Sequence, residues 1–200
     1  MSSIPSGSRR RLSGLLALSL ALAAAGALAA PQAEAAAAFR FTPYPAPRPV
    51  PPLSFLDGKG QPTSLAAFRG KVVLLNIWAT WCPPCVREMP TLNKLQKLLG
   101  GKEFAVVPLS VDRGGLFAVK SFYQDNFIDH LPIYVDPTTK VLDQLDILGT
   151  PTTILIDKQG REVARTLGPQ DWDQPSVIAQ LRHYIAQPGP ARAQATSAHS

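Results

Sequence analysis

The sequence predicts an α/β domain, a central mixed β-sheet flanked by helices on both faces. Three observations lead there. Val72–Trp78 and Phe104–Val111 are unbroken, β-rich runs, the pattern of strands covered on both sides. The chain between them is helical in pattern, so the two runs form a βαβ crossover and should pair in parallel. Further on, Thr152–Ile156, the turn Asp157-Lys158-Gln159-Gly160 and the run Arg161–Ala164 read as an antiparallel hairpin. Parallel and antiparallel pairing in one chain make the sheet mixed, and helices have to bury their apolar stripes against it.

The remaining elements follow in order. Leu53-Ser54-Phe55 with Asp57-Gly58 suggests a short strand and a turn, and Ser64–Gly70 a helical turn stopped by glycine. Residues 115–126 carry Leu116, Val119, Phe122 and Tyr123 at helical spacing. Leu131–Val135 reads as a short strand, and Lys140 to Leu148 as a short helix ended by Gly149. A last helix follows Pro175, with Val177, Ile178, Leu181, Tyr184 and Ile185 as its buried stripe.

Of 200 residues, one ordinary domain takes roughly 100–150, which leaves room for appendages. We place the folded part at residues 53–187. Residues 1–35 read as a signal peptide or an N-terminal membrane anchor: Arg9, Arg10 and Arg11 precede an apolar, alanine-rich stretch that reaches Ala30. That stretch, about 19 residues, is near the minimum for a span. Small-residue cleavage options stand at Ala27-Leu28-Ala29 and Ala33-Glu34-Ala35, so cleavage and anchoring both stay open, as do the general and twin-arginine export routes. Basic residues ahead of the stretch would keep the N-terminus inside and put the domain outside. Residues 36–52 form a Pro/Ala-rich linker expected to be an extended, semi-rigid spacer, and 188–200 a disordered tail. The net charge of +6 falls to +3 without the three N-terminal arginines, which argues against a nucleic-acid partner.

The chain has two cysteines, in Trp81-Cys82-Pro83-Pro84-Cys85. A bond closing so small a ring would be a poor staple, so the pair points to redox chemistry. Cys82 stands where the buried strand and its short exit give way to a helix. Helix N-terminal amides should lower its pKa and make it an accessible nucleophile. Cys85 lies one turn on, in the apolar stripe of Met89, Leu92 and Leu99, and is assigned as the resolving cysteine. In thiol exchange Cys82 would attack a partner's disulfide and Cys85 would then release the partner. No cofactor is required. Pro84 suits the first helical turn, and Pro83 removes another amide hydrogen beside the sulfurs.

The run Gly70-Lys71-Val72-Val73-Leu74-Leu75-Asn76-Ile77-Trp78-Ala79-Thr80-Trp81-Cys82-Pro83-Pro84-Cys85-Val86-Arg87-Glu88-Met89-Pro90 resembles the signature of the TlpA/ResA/DsbE group of membrane-associated bacterial thioredoxins. The likeness extends from about Leu53 to Trp172. It includes Asp57-Gly58, Phe68-Arg69-Gly70-Lys71 and Gly149-Thr150-Pro151-Thr152, and Gly168-Pro169-Gln170-Asp171-Trp172 brings it nearest to TlpA. The resemblance implies a thioredoxin-like fold. It also implies that Glu88, otherwise readable as a solvated surface residue, is buried beside the cysteines and manages protons. Asn76 replaces the acid found six residues before the nucleophile in thioredoxin and cannot titrate, which leaves Glu88, its pKa raised by desolvation, as the proton-handling candidate.

Pro151 matches the cis-proline that such proteins set opposite the cysteine pair. Thr150 would then pair with a partner's backbone as a short β-augmentation. Trp81, with Pro83 and Pro84, would wall the same groove, while Trp78 and Trp172 are expected in the packing.

Rival chemistry is limited. Zinc would need two more ligands, and His130, His183 and His199 show no ligand spacing. Val86 follows the second cysteine where a c-type haem site needs histidine. A copper(I) relay or partner-docking role is the serious alternative. By resemblance the expected activity is thiol:disulfide oxidoreduction in the bacterial periplasm or on the extracytoplasmic face of the inner membrane. Electrons would come from a membrane thiol donor and pass to protein substrates in cytochrome c or oxidase copper-centre assembly. A monomer is expected.

Overall fold

The computed structural model describes residues 41–189. The export segment 1–35, the first five residues of the linker, His199 and most of the predicted tail lie outside them. Along the chain the elements are β1 (Arg48–Pro49), β2 (Ser54–Asp57), β3 (Pro62–Ser64), a 3-10 turn (Leu65–Phe68), β4 (Val72–Trp78), α1 (Pro83–Leu99), β5 (Phe104–Ser110), α2 (Gly115–Asp125), β6 (Tyr134–Val135), α3 (Lys140–Gln144), β7 (Thr152–Ile156), β8 (Arg161–Leu167) and α4 (Pro175–Ala186).

The eight strands form one sheet in the order β1-β8-β7-β4-β5-β6-β2-β3. β4 lies at its centre and is buried at every position, Asn76 included, as a strand covered on both faces must be. It pairs in parallel with β5 on one side, Leu75 opposite Val107, and antiparallel with β7 on the other, Asn76 opposite Thr153. The βαβ crossover and the β7–β8 hairpin are as the sequence predicts. Helices flank this mixed sheet, which is the thioredoxin-like arrangement. Along α1, Cys85, Glu88, Met89, Leu92 and Leu95 are buried, and the helix runs on through Pro90 although proline has no amide hydrogen to give the Val86 carbonyl.

Besides β8, which runs on to Leu167 rather than ending at Ala164, three boundaries differ from expectation by more than a residue. α3 ends at Gln144 rather than Leu148, because Asp146, at φ 51°, takes the left-handed position that glycine usually fills after a helix. Its amide donates to the Asp143 carbonyl and that of Ile147 to the Leu142 carbonyl, the two bonds that close a helix C-terminus. The strand expected at Leu131–Val135 shrinks to Tyr134–Val135; Pro132 can donate no ladder bond, and its carbonyl accepts from the Tyr123 hydroxyl instead.

The third difference concerns the linker. Residues 41–52 are fastened to the domain and are no free spacer. β1 pairs with β8, the Tyr44 amide donates to the Val163 carbonyl at 2.8 Å, and Phe41 is buried in the core. Polyproline-like backbone leaves its amides and carbonyls unpaired, and here an edge strand supplies partners for some of them. We call this segment the strap.

Candidate active site

The site is assembled at the end of β4. Cys82 caps α1, with Pro83 and Pro84 as the first two helical residues, and its sulfur accepts from the Cys85 amide at 3.3 Å. The sequence suggests several helix amides converging on Cys82. In the structure the prolines leave the first two helical positions without an N–H, so Cys85 provides the first one available. The two sulfurs are joined as a disulfide. Cys85 is fully buried and Cys82 keeps only 4% of its surface, so the nucleophile expected to be open is nearly covered in this oxidised state.

The approach to Cys82 is held by a polar cluster that the sequence reading missed. Asp112, just past β5, accepts from the Thr80 amide and hydroxyl at 2.9 and 2.7 Å and from the Ser110 hydroxyl at 2.7 Å. These bonds tie the exit of β4 to the exit of β5. Trp81 sits in that tied loop with two-thirds of its surface exposed. Trp78 is core, as expected, packed against Phe122 and Tyr123.

Opposite the cysteines, the Thr150–Pro151 peptide bond is cis, and the Thr150 carbonyl oxygen lies 3.5 Å from the Cys82 sulfur. The Pro151 carbonyl accepts from the Gly168 amide just beyond the ends of β7 and β8, while Leu148 and Leu167 stand exposed around this loop.

Glu88, three residues after Cys85 on the same face of α1, is 2% exposed. Its Oε1 accepts from Asn76 Nδ2 at 2.7 Å; its Oε2 accepts from the Gln170 amide and from Trp172 Nε1, both at 3.0 Å. Burial pushes the carboxyl up to about 7, against the lowering pull of these three donors. Asn76 Nδ2 donates a second bond to the hydroxyl of Thr153, directly across the β4–β7 ladder. Trp172 is thus more than packing. A buried indole usually finds an acceptor for its one N–H, although Trp78 Nε1 has none among the described residues, and nothing local in the sequence says that the acceptor for Trp172 is Glu88.

Among the described residues, no three His, Cys, Asp or Glu side chains gather where they could hold a metal ion. His130 lies beside Asp129, and His183 against the Tyr184 ring.

The arrangement is a disulfide at a helix start, facing a cis-proline and backed by a buried acid. Similarity to known proteins agrees with it. The Redoxin family profile matches residues 45–181. Thiol-disulfide oxidoreductase ResA of Bacillus cereus is 35% identical over 118 residues, covering 59% of this chain and 67% of the relative. The thioredoxin domain of a thiol-disulfide oxidoreductase from Bacteroides vulgatus superposes with a TM-score of 0.60 at 26% identity, over 70% of this chain and 98% of that one. The exposed lipoprotein thioredoxin of Streptococcus pneumoniae gives 0.57 at 25% identity, over 66% and 99%. The chain belongs to the Redoxin family and is a thioredoxin-fold thiol-disulfide oxidoreductase of the ResA/DsbE/TlpA-like kind.

Proposed function

We propose that the chain is an exported reductant of protein disulfides, with Cys82 as nucleophile, Cys85 as resolving cysteine and Glu88 as the group that handles the proton. The observation that carries this is the placing of Cys82 as the cap of α1, 3.5 Å from the Thr150 carbonyl, with Glu88 buried one turn beyond Cys85.

In the reduced protein the Cys82 thiolate attacks one sulfur of a substrate disulfide, forming a mixed disulfide and releasing the other substrate sulfur as a thiolate. Cys85 loses its proton and attacks Cys82, forming the intramolecular bond and releasing the second substrate sulfur. Two electrons pass to the substrate, and its two sulfurs leave as thiols once each takes a proton. Glu88, with a pKa near neutrality, is matched to accept the Cys85 proton. A membrane thiol donor would restore the dithiol. Trp81, Pro83, Pro84, Thr150 and Pro151 would form the surface against which the substrate's backbone aligns. By the likeness to ResA and DsbE proteins, the substrates are cysteine pairs of cytochrome c or oxidase copper-centre assembly, met in the bacterial periplasm or on the outer face of the inner membrane.

Cys85→Ser tests this. Mixed disulfides should accumulate on Cys82 in cells and identify the substrates by mass spectrometry, while Cys82→Ser should trap none. Equal trapping by both variants, or none by either, would overturn the assignment.

A further inference from the structure

We propose that Trp172, braced by Phe41, is a positioning residue that fixes the Glu88 carboxylate and favours its ionised form, so that the N-terminal strap bears on proton handling at the disulfide. The proposal rests on the reading of Glu88 given above and extends it to residues on the far side of the chain.

Both bonds to Glu88 Oε2 come from one loop, between β8 and α4, through the Gln170 amide and Trp172 Nε1. A loop holds a carboxylate only as firmly as it is itself held. The Trp172 amide donates to Thr91 Oγ1 at 3.2 Å, and that hydroxyl donates to the Glu88 carbonyl at 2.8 Å. The indole is therefore tied at its backbone to the helix turn that carries the acid. The Phe41 ring lies against the indole at a centroid distance of 5.7 Å. Phe41 is in turn clamped to α4: its amide donates to Gln180 Oε1 at 2.8 Å, and Gln180 Nε2 donates to its carbonyl at 2.7 Å. A side-chain amide that engages both polar groups of one residue fixes that residue along the chain.

The chemistry runs in one direction. Indole can only donate, and a donor aimed at a carboxylate favours the charged form. Around Glu88, β4 presents Asn76, β7 presents Thr153 behind it, and the loop presents Gln170 and Trp172; none carries a charge. On its own helix Arg87, next in sequence, is exposed, and Cys85 on the same face is disulfide-bonded here and does not titrate. Among the described residues no cation touches the carboxyl, the donors oppose burial, and Trp172 and Asn76 are the two side chains that do so. Displacing Phe41 would loosen the indole and let the acid keep its proton to higher pH.

The test uses the full-length oxidised protein, in which no cysteine titrates, and follows the Glu88 carboxyl carbon by NMR across pH, with Glu88→Gln identifying the signal. Trp172→Phe keeps an aromatic ring and removes the N–H; the midpoint should rise by about one unit. Phe41→Ala leaves the N–H in place and should raise it by less. An unchanged midpoint in folded Trp172→Phe overturns the proposal, as does an unchanged midpoint in Phe41→Ala should Trp172→Phe fail to fold. In the reduced protein, the pH profile of disulfide exchange should move with the midpoint. Exchange that is undiminished in Glu88→Gln would instead overturn the proton-handling reading, and the titration shift in Trp172→Phe would tell the two failures apart.

Discussion

Asn76 donates from Nδ2 to Glu88 Oε1 at 2.7 Å, while its own Oδ1 finds no hydrogen-bond partner among the described residues. The amide is turned so that its donor, not its acceptor, faces the acid. With the Gln170 amide and Trp172 Nε1, three donors and no acceptor meet the carboxyl group, a surrounding shaped for the ionised form. Burial works the other way and prevails, leaving the group close to half-protonated near neutral pH.

Glu88 titrates at about 7 in the fold and at 4.5 in its unperturbed state. Between those values the folded chain binds more protons than the unfolded one, so stability falls as pH rises. The contribution is whole below 4.5, is lost progressively up to about 7 and is constant beyond. The full span is about 3 kcal/mol as an upper bound. Urea unfolding of the oxidised protein should show this slope, and Glu88→Gln should lack it. Parallel curves for the two proteins would refute the assignment.

How far the sequence reveals this site depends on whether a feature is local. β4, α1 and β5 are legible because a buried strand, a Cys-Pro-Pro-Cys helix start and a second buried strand each leave a mark within ten residues. The cis-proline and the burial of Glu88 come through resemblance; periodicity alone leaves Glu88 ambiguous. Trp172 meets Glu88 across 84 residues and Phe41 meets Gln180 across 139, and no spacing rule connects such pairs. The strap has the composition of a spacer, and it is held by contacts with residues far down the chain, which composition does not record. The end of α3 is misread for a different reason. Gly149 looks like the stop, whereas Asp146 adopts the left-handed backbone, at a cost that two closing hydrogen bonds offset.

Phe127 provides a test of that backbone argument. It follows α2 at φ 55° with most of its ring exposed, and the Ile128 amide bonds back to the Tyr123 carbonyl at 2.9 Å. A bulky side chain pays for the left-handed conformation and recovers little by burial. Phe127→Gly should stabilise the domain by about 0.5–1 kcal/mol, the relief of strain exceeding the added freedom of the unfolded chain. A loss of stability in thermal unfolding would mean that the ring contributes more than its exposure suggests.

Glu162 is buried and held by two side chains. Arg165 donates to both carboxylate oxygens at 2.9 Å and, through Nη1, to the Leu145 carbonyl at 2.7 Å; the Tyr44 hydroxyl donates to Oε1 at 2.9 Å. Removing Arg165 would strand a buried charge, whereas removing the Tyr44 hydroxyl would leave the ion pair intact. Arg165→Met should cost about 2–3 kcal/mol, discounted for the partial exposure of the arginine. Tyr44→Phe should cost about 1 kcal/mol. Adding Glu162→Gln to Arg165→Met should restore part of the loss, and a double-mutant cycle by urea unfolding measures it.

Pro84 sets how strongly the helix holds the Cys82 sulfur. A capping group accepts from the second or third helical amide. Proline removes the second, so only the Cys85 amide, the third, is directed at the sulfur. Pro84→Ala restores the missing N–H at a half-buried position where alanine is at home in a helix. A second donor at the sulfur stabilises the thiolate far more than the disulfide, which carries no charge. The Cys82 pKa should fall by about half to one unit, and because the reduced form gains, the reduction potential should rise toward that of an oxidant. Alkylation rates across pH and equilibration against a glutathione buffer measure the two quantities independently, and both must move in the stated direction. A more reducing Pro84→Ala variant would show that the proline acts through loop rigidity and not through the amide it removes.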